Sequence, residues 1–205
     1  MVDQTDDRQF SPSTQRNRDV IAEVLGERLP ETGKVLEIAS GSGEHAVHLA
    51  PRHPGLTWQT SDTDEVALRS IRAWIDHSGL DLPEPLHLDV CAGRWDGIDA
   101  VDAILCINMI HISPWAACEG LMRGAGRHLK PGGLLYLYGP YRINGKQTSE
   151  SNVSFESWLK SLDPAYGVRD LDDVRKVAEG SGMSFVEALP MPANNFSVVF
   201  NKASD

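Results

Sequence analysis

The sequence predicts an α/β, Rossmann-like three-layer sandwich, and three observations carry that prediction. Short β-branched and leucine-rich runs alternate with amphipathic stretches from Lys34 to Gly139, the pattern of a mostly parallel sheet joined by helical crossovers. The first of those runs leads straight into a glycine pair, Gly41-Ser42-Gly43, ahead of a helical segment. Carboxylates recur along the first three strands, at Glu37, Asp62 and Asp89.

The elements follow in order. Ser13 to Leu29 spaces Val20, Ile21, Val24, Leu25 and Leu29 as a helix, behind Ser11-Pro12-Ser13 as a start signal. This helix stands outside the repeating unit. Lys34 to Ala39 reads as a strand buried on both faces, and SGSGEH opens a helix through Ala50. Thr57 to Ser61 is a second strand ending at Asp62, and Glu65 to His77 an amphipathic helix. Pro85 to Val90 is a third strand. Ala100 to Ile110, the most apolar run, is the central one. Trp115 to Leu129 is a helix closed by the turn Lys130 to Gly133, with Leu134 to Gly139 a fifth strand. Tyr141 to Glu150 then reads as a polar loop, and Val153 to Leu162 and Leu171 to Ser181 as helices. Phe185 to Leu189 and Phe196 to Asn201 are joined too closely for a helical crossover, so they form an antiparallel hairpin.

The chain has 205 residues, suited to a single domain over 1–205. Residues 1–12 are expected to be flexible and 13–29 to form a helix over the cofactor site. A formal charge of -10 with no local basic patch argues against nucleic acid and anionic membranes as partners. No apolar run approaches the roughly 20 residues of a membrane span. Cys91, Cys106 and Cys118 form no C-x-x-C pair, which fits a reducing cytosol and a cytoplasmic protein without a metal centre.

Gly41-Ser42-Gly43-Glu44-His45-Ala46 satisfies G-x-G-x-x-G/A between a strand and a helix, where the backbone must turn sharply and let a ligand lie against it. Asp62, at the end of the second strand, can accept both hydroxyls of an adenosine ribose, or it can simply form a turn. Glu37 sits inside the first strand, an expensive place for a carboxylate unless something satisfies it. Either a neighbouring cation such as Lys34 does so, or a cationic ligand does. S-adenosyl-L-methionine (SAM) carries an amino cation and a sulfonium, whereas the pyrophosphate of NAD would be repelled. Asp89, ending the third strand, could meet the adenine amine or cap a turn.

The segments VLEIASGSGEH, TSDTDE, LHLDV, ILCINMI and LKPGGLLYLYGP resemble the ordered motifs of class I SAM-dependent methyltransferases. RNRD, INMIHISPW, YGPYRINGK, SNVSF, GVRDL and MPANN resemble, more narrowly, the subfamily named after methyltransferase-like protein twenty-six. The class resemblance implies a seven-stranded sheet of order 3-2-1-4-5-7-6 whose last strand is antiparallel. It also implies SAM contacts at Glu37, Ala39, Gly41, Ser42, Gly43, Asp62 with Thr63, Asp89 with Val90, and Asn108 with Met109. The subfamily resemblance supplies no acceptor.

Methyl transfer from a sulfonium is an in-line displacement that needs positioning and exclusion of water, with a base optional. His111 is the candidate base, or else a residue that shapes the loop before Pro114. Tyr138 and Tyr141 either hydrogen-bond the acceptor or wall its pocket. Asn194 and Asn195 either overhang the site or serve the hairpin turn. Arg16 and Asn17 could reach the methionine carboxylate or act as part of a lid. His45 and His48 share a helix face without a third ligand and read as buried or solvated histidines. The expected activity is methylation of a small molecule. A SAM-binding regulator without turnover and a protein side-chain methyltransferase are the alternatives.

Overall fold

The computed structural model describes residues 6–204. Two compact units divide the chain, Met1–Asp89 and Val90–Asp205, where the sequence reading expects one domain.

In the first unit, α1 (Pro12–Gly26) starts as its sequence dictates. Extended Ser11 accepts from the Thr14 amide, and Pro12 occupies the first turn, where its missing N–H is no loss. Ile21 and Leu25 are fully buried. β1 (Gly33–Ile38) and β2 (Leu56–Asp62) pair in parallel from Gly33 opposite Leu56 to Glu37 opposite Thr60. Between them lie α2 (Glu44–Leu49) and a single 3-10 turn. α3 (Glu65–Ser78) is capped by Asp64 at one end and closed by Gly79, at φ +69°, at the other. Its stripe of Leu68, Ile71 and Ile75 builds the local core. β3 is only Leu86–His87, not Pro85 to Val90. It makes two ladder pairs with β2, and Pro85 has no N–H with which to extend them.

In the second unit, β4 (Val101–Ile107) stops three residues before the predicted end. Asn108 adopts φ +65°, and Met109–His111 form a 3-10 turn. α4 (Trp115–His128) leads directly into β5 (Leu129–Gly139), which absorbs the predicted turn at Lys130 to Gly133. The ladder takes up those residues as an irregularity between Val101 and Ala103. The predicted polar loop holds β6 (Tyr141–Ile143) and β7 (Lys146–Gln147), and α5 (Glu150–Leu162) begins earlier than its apolar pattern, capped by Ser149. β8 (Arg169–Asp170) pairs parallel to β6 and opens α6 (Leu171–Gly180), giving a small sheet of order β7-β6-β8 that the sequence did not announce. β9 (Met183–Met191) and β10 (Asn195–Lys202) form the expected hairpin. β10 runs antiparallel to β5 as well.

The main sheet has seven strands in the order β3-β2-β1-β4-β5-β10-β9. This is the Rossmann-like methyltransferase order, with the hairpin's second strand reversed. No helix among the described residues is long and apolar enough to cross a membrane.

Candidate functional site

β1 ends in the glycine turn of the first unit. Ala39 and Gly41 both take positive φ, +52° and +58°, and Gly43 follows at +91° as the cap of α2. The two glycines differ in surroundings. A Cβ on Gly43 would stand 2.8 Å from the Ile71 Cα, whereas one on Gly41 would meet nothing within 4 Å. Gly43 is therefore a packing glycine, and Gly41 borders open space.

Asp62 turns its carboxylate onto this loop. One oxygen accepts from the Gly41 amide at 2.9 Å, and the other from the Thr63 and Asp64 amides at 2.8 and 3.0 Å. Part of its hydrogen-bonding capacity thus goes into holding the turn, the structural alternative the sequence left open. Thr63 itself is exposed.

Glu37 is 2 % exposed. Its partner is the indole N–H of Trp58, at 2.8 Å, a residue on the neighbouring strand that sequence reasoning missed. Burial pushes the Glu37 carboxyl up to about 7, against the indole bond and with the help of the nearby Asp62 charge. Asp89 is exposed and Val90 buried. Of the α1 pair, Arg16 is exposed, and buried Asn17 accepts from His45 Nε2 at 2.9 Å. His45 is held down to about 4, chiefly by burial, so it is a neutral donor at neutral pH. His48 faces Asp19 at 2.9 Å.

The second unit gathers a different group. The Asn108 amide donates to the Tyr138 carbonyl at 2.8 Å, and the His111 amide to the Asn108 carbonyl at 3.0 Å. The imidazole of His111 is fully buried, and its Nδ1 accepts from the Arg169 amide at 3.3 Å. That bond leaves the ring proton on Nε2, which has no partner among the described residues. Burial, then the Arg169 guanidinium, holds His111 down to about 3. In this tautomer His111 presents an N–H at Nε2.

Tyr141 meets His111 edge-on at 5.0 Å between ring centroids. It too is fully buried with an unpartnered hydroxyl, and burial raises its pKa well above the ordinary phenol range. Tyr138 is buried at 2 % exposure. Gly139 packs against His111 where nothing larger fits: a Cβ there would stand 2.5 Å from His111 Nε2. Arg169, also missed, locks the turn by donating to the Ile110 and Ser113 carbonyls at 2.9 and 2.6 Å. Met109 is half-buried, and its carbonyl accepts from Ser113 Oγ at 2.7 Å.

In the hairpin turn, Asn194 sits at φ +58° and donates to Ser151 Oγ at 3.0 Å, while its carbonyl accepts from Asn152. Asn195 donates to the Pro192 carbonyl. The Asn195 side chain thus makes a local turn contact, whereas that of Asn194 reaches the first turn of α5.

The chain belongs to the family described as "Protein of unknown function (DUF938)", which matches residues 8–202. Among solved structures it is similar to an O-methyltransferase family protein from Burkholderia thailandensis, with a TM-score of 0.81 at 18% identity over 94% of this chain. It is also similar to human N-acetylserotonin methyltransferase in complex with SAM, with a TM-score of 0.75 at 14% identity over 94% of this chain. The chain spans 57% of the Burkholderia protein and 53% of the human one. A third similar structure is the methyltransferase in complex with the Haloferax volcanii Trm112 methyltransferase activator. There the TM-score is 0.73 at 17% identity, covering 93% of this chain and 92% of that one. At such identities the likeness establishes the fold.

Proposed function

We propose that this chain binds SAM at the glycine turn of its first unit and transfers the methyl group to a small-molecule acceptor by in-line displacement. The observation that carries the reading is the turn itself. Gly41 adopts a left-handed conformation beside open space, its amide fixed by Asp62, four residues after a buried carboxylate. A ligand of adenosine type can lie against such a backbone, and a methyltransferase fold supports the choice of SAM. When bound, SAM supplies an electrophilic methyl on sulfur. Glu37 meets its amino cation, Asp62 with Thr63 the ribose, and Asp89 with Val90 the adenine edge. Asn108 and Met109 are assigned as the remaining cofactor contacts. His111 and Tyr141 are assigned to the acceptor, as hydrogen-bond donors to an oxygen. The charge of -10 favours a small molecule over nucleic acid. Three cysteines with no C-x-x-C pair, two of them buried, support a cytosolic setting.

One observation favours a second reading, a SAM-binding protein without turnover: His111, the candidate base near the end of β4, already has Nδ1 engaged. Titration calorimetry with SAM and with NAD(H) tests the cofactor, and tight NAD binding with no SAM binding overturns the proposal. Incubation with labelled SAM and a metabolite extract then separates the two readings, because protein-dependent transfer to any component excludes the regulator.

Glu37 adds a pH signature. Its folded pKa of about 7 lies above the ordinary 4.5, so the free protein holds a proton there that a cationic ligand must expel. SAM affinity should therefore rise between about pH 6 and pH 7.5 and level off above, with proton release on binding. Glu37→Gln should flatten that rise.

A further inference from the structure

The residues that precede α1 were expected to be flexible over 1–12. Residues 1–5 lie outside the described residues, but Arg8 to Ser11 form a strap with defined partners. The Gln9 amide donates to Ser70 Oγ at 2.8 Å, and the Ser11 amide to Glu44 Oε2 at 2.6 Å. Farther out, the Trp74 indole donates to the Gln9 carbonyl at 2.8 Å and packs edge-on against Phe10 at 5.2 Å. The Arg8 guanidinium lies over the Trp74 ring at 5.0 Å and pairs with Asp6.

The two strap acceptors also hold the glycine turn. Ser70 Oγ donates to the Ser42 carbonyl at 2.7 Å, and Ser42 Oγ donates to Glu44 Oε2 at 3.0 Å. Ser42, between the two glycines, is therefore held from both its backbone and its side chain. Each hold passes through one buried group to one strap amide: Ser70 is fully buried and Glu44 is 3 % exposed. Ser70 has its donor and an acceptor position in use at once, so losing either end leaves a buried polar group unsatisfied. Ser70 is also the neighbour of Ile71, the residue on which Gly43 rests. One turn of α3 thus sets both the height of the loop, through Ile71, and its rotation, through Ser70.

We propose that Ser70 and Glu44 are positioning residues for the glycine turn, and that the strap Arg8 to Ser11 acts through them as part of the cofactor site. Strap docking and cofactor binding are then coupled in both directions, as linkage requires. A ligand that needs the observed turn stabilises the docked strap, and an undocked strap weakens the ligand. The coupling to SAM rests on the function proposed above, whereas the hold on the turn does not.

The test uses the full chain and two variants, Ser70→Ala and Trp74→Phe. The second removes the indole bond at the half-buried outer end of the strap and part of the ring beneath Arg8, leaves Ser70 and Glu44 in place, and so keeps the proposal falsifiable if the first fails to fold. Amide hydrogen exchange without ligand reads the hold directly. Exchange at Ser42 and Gly43 should accelerate roughly tenfold in Ser70→Ala and severalfold in Trp74→Phe. Calorimetry with S-adenosylhomocysteine reads the coupling, with an affinity loss of similar size in each variant at an unchanged melting cooperativity. Ser70→Thr, which keeps the hydroxyl, should restore part of the affinity. Unchanged exchange at the turn in a folded variant overturns the positioning role. Accelerated exchange with unchanged affinity overturns the coupling. Failure of the wild-type protein to bind either adenosine compound sinks the SAM reading and its coupling, and leaves the exchange result to decide the positioning role.

Discussion

The glycine turn of the first unit and the His111 cluster of the second handle buried polar groups in opposite ways. At the turn, Asp62, Ser42, Ser70 and Glu44 spend their hydrogen bonds on the protein's own backbone and on one another. Around His111, the ring Nε2 and the Tyr141 hydroxyl are equally buried and have no partner among the described residues. A buried donor without an acceptor is destabilising by roughly 1–3 kcal/mol, so the second cluster holds unused binding capacity that the first has converted into shape. The first region is internally saturated, and the second is not.

The largest expected effect separates the two glycines of the turn. Gly43→Ala combines a left-handed residue with a Cβ 2.8 Å from the Ile71 backbone, and should lower stability by about 3 kcal/mol or more. Gly41→Ala meets the same conformational strain but no neighbour. It should lose only about 1 kcal/mol of stability and show its main effect on SAM affinity. Denaturant midpoints and calorimetry on the pair check this. Equal stability losses would show that Gly41 is also a packing glycine.

Next comes acid. His111 has a folded pKa of about 3, below its ordinary 6.5, so the unfolded chain binds the extra proton first. The stabilisation is fully present above pH 6.5 and drains away as pH falls from there toward 3. Between about pH 6.5 and pH 5 this one residue should account for roughly 2 kcal/mol of lost stability. His111→Gln should remove that share of the acid limb, leaving the part due to His45. Glu37 bends the curve the other way. Its raised pKa favours the folded state most below 4.5 and progressively less up to about 7, so Glu37→Gln should steepen the acid loss.

Much of the first region was legible in the sequence, because its features are local. A strand, a glycine pair and a strand-ending carboxylate are adjacent in the chain, and the expected positions of Glu37, Gly41 and Asp62 need only the strand period. What stayed hidden needs a second segment. Glu37 is satisfied by Trp58, 21 residues on, and Ser70 looks like one polar interruption of an apolar helix stripe until Ser42 and Gln9 are set beside it. The second region was less legible for the same reason. The Nδ1 of His111 is engaged by the Arg169 amide, 58 residues away. The β6-β7-β8 sheet rests on two ladders of two residue pairs each that carry no hydrophobic period of their own. The Lys130 to Gly133 stretch reads as a turn by composition, but the irregular ladder with β4 draws it into a strand.

The finest comparison is between two buried tyrosines of the second unit. Tyr136 shares a 2.6 Å hydrogen bond with Ser197 Oγ, so Tyr136→Phe should lower stability by about 1 kcal/mol and leave a stranded serine hydroxyl. The Tyr141 hydroxyl is equally buried but unpartnered, so Tyr141→Phe removes an unsatisfied group without breaking a protein bond. Its stability should be unchanged or slightly higher. If that hydroxyl is kept for an acceptor, the same variant should lose kcat/KM once an acceptor is found, with SAM affinity intact. Tyr136→Phe should show the reverse, lower stability with normal turnover. A Tyr141→Phe protein that melts markedly lower than wild type would mean that the hydroxyl already has a partner, an internal water for example. The contrast between saturated and unsaturated regions would then fail at its sharpest point.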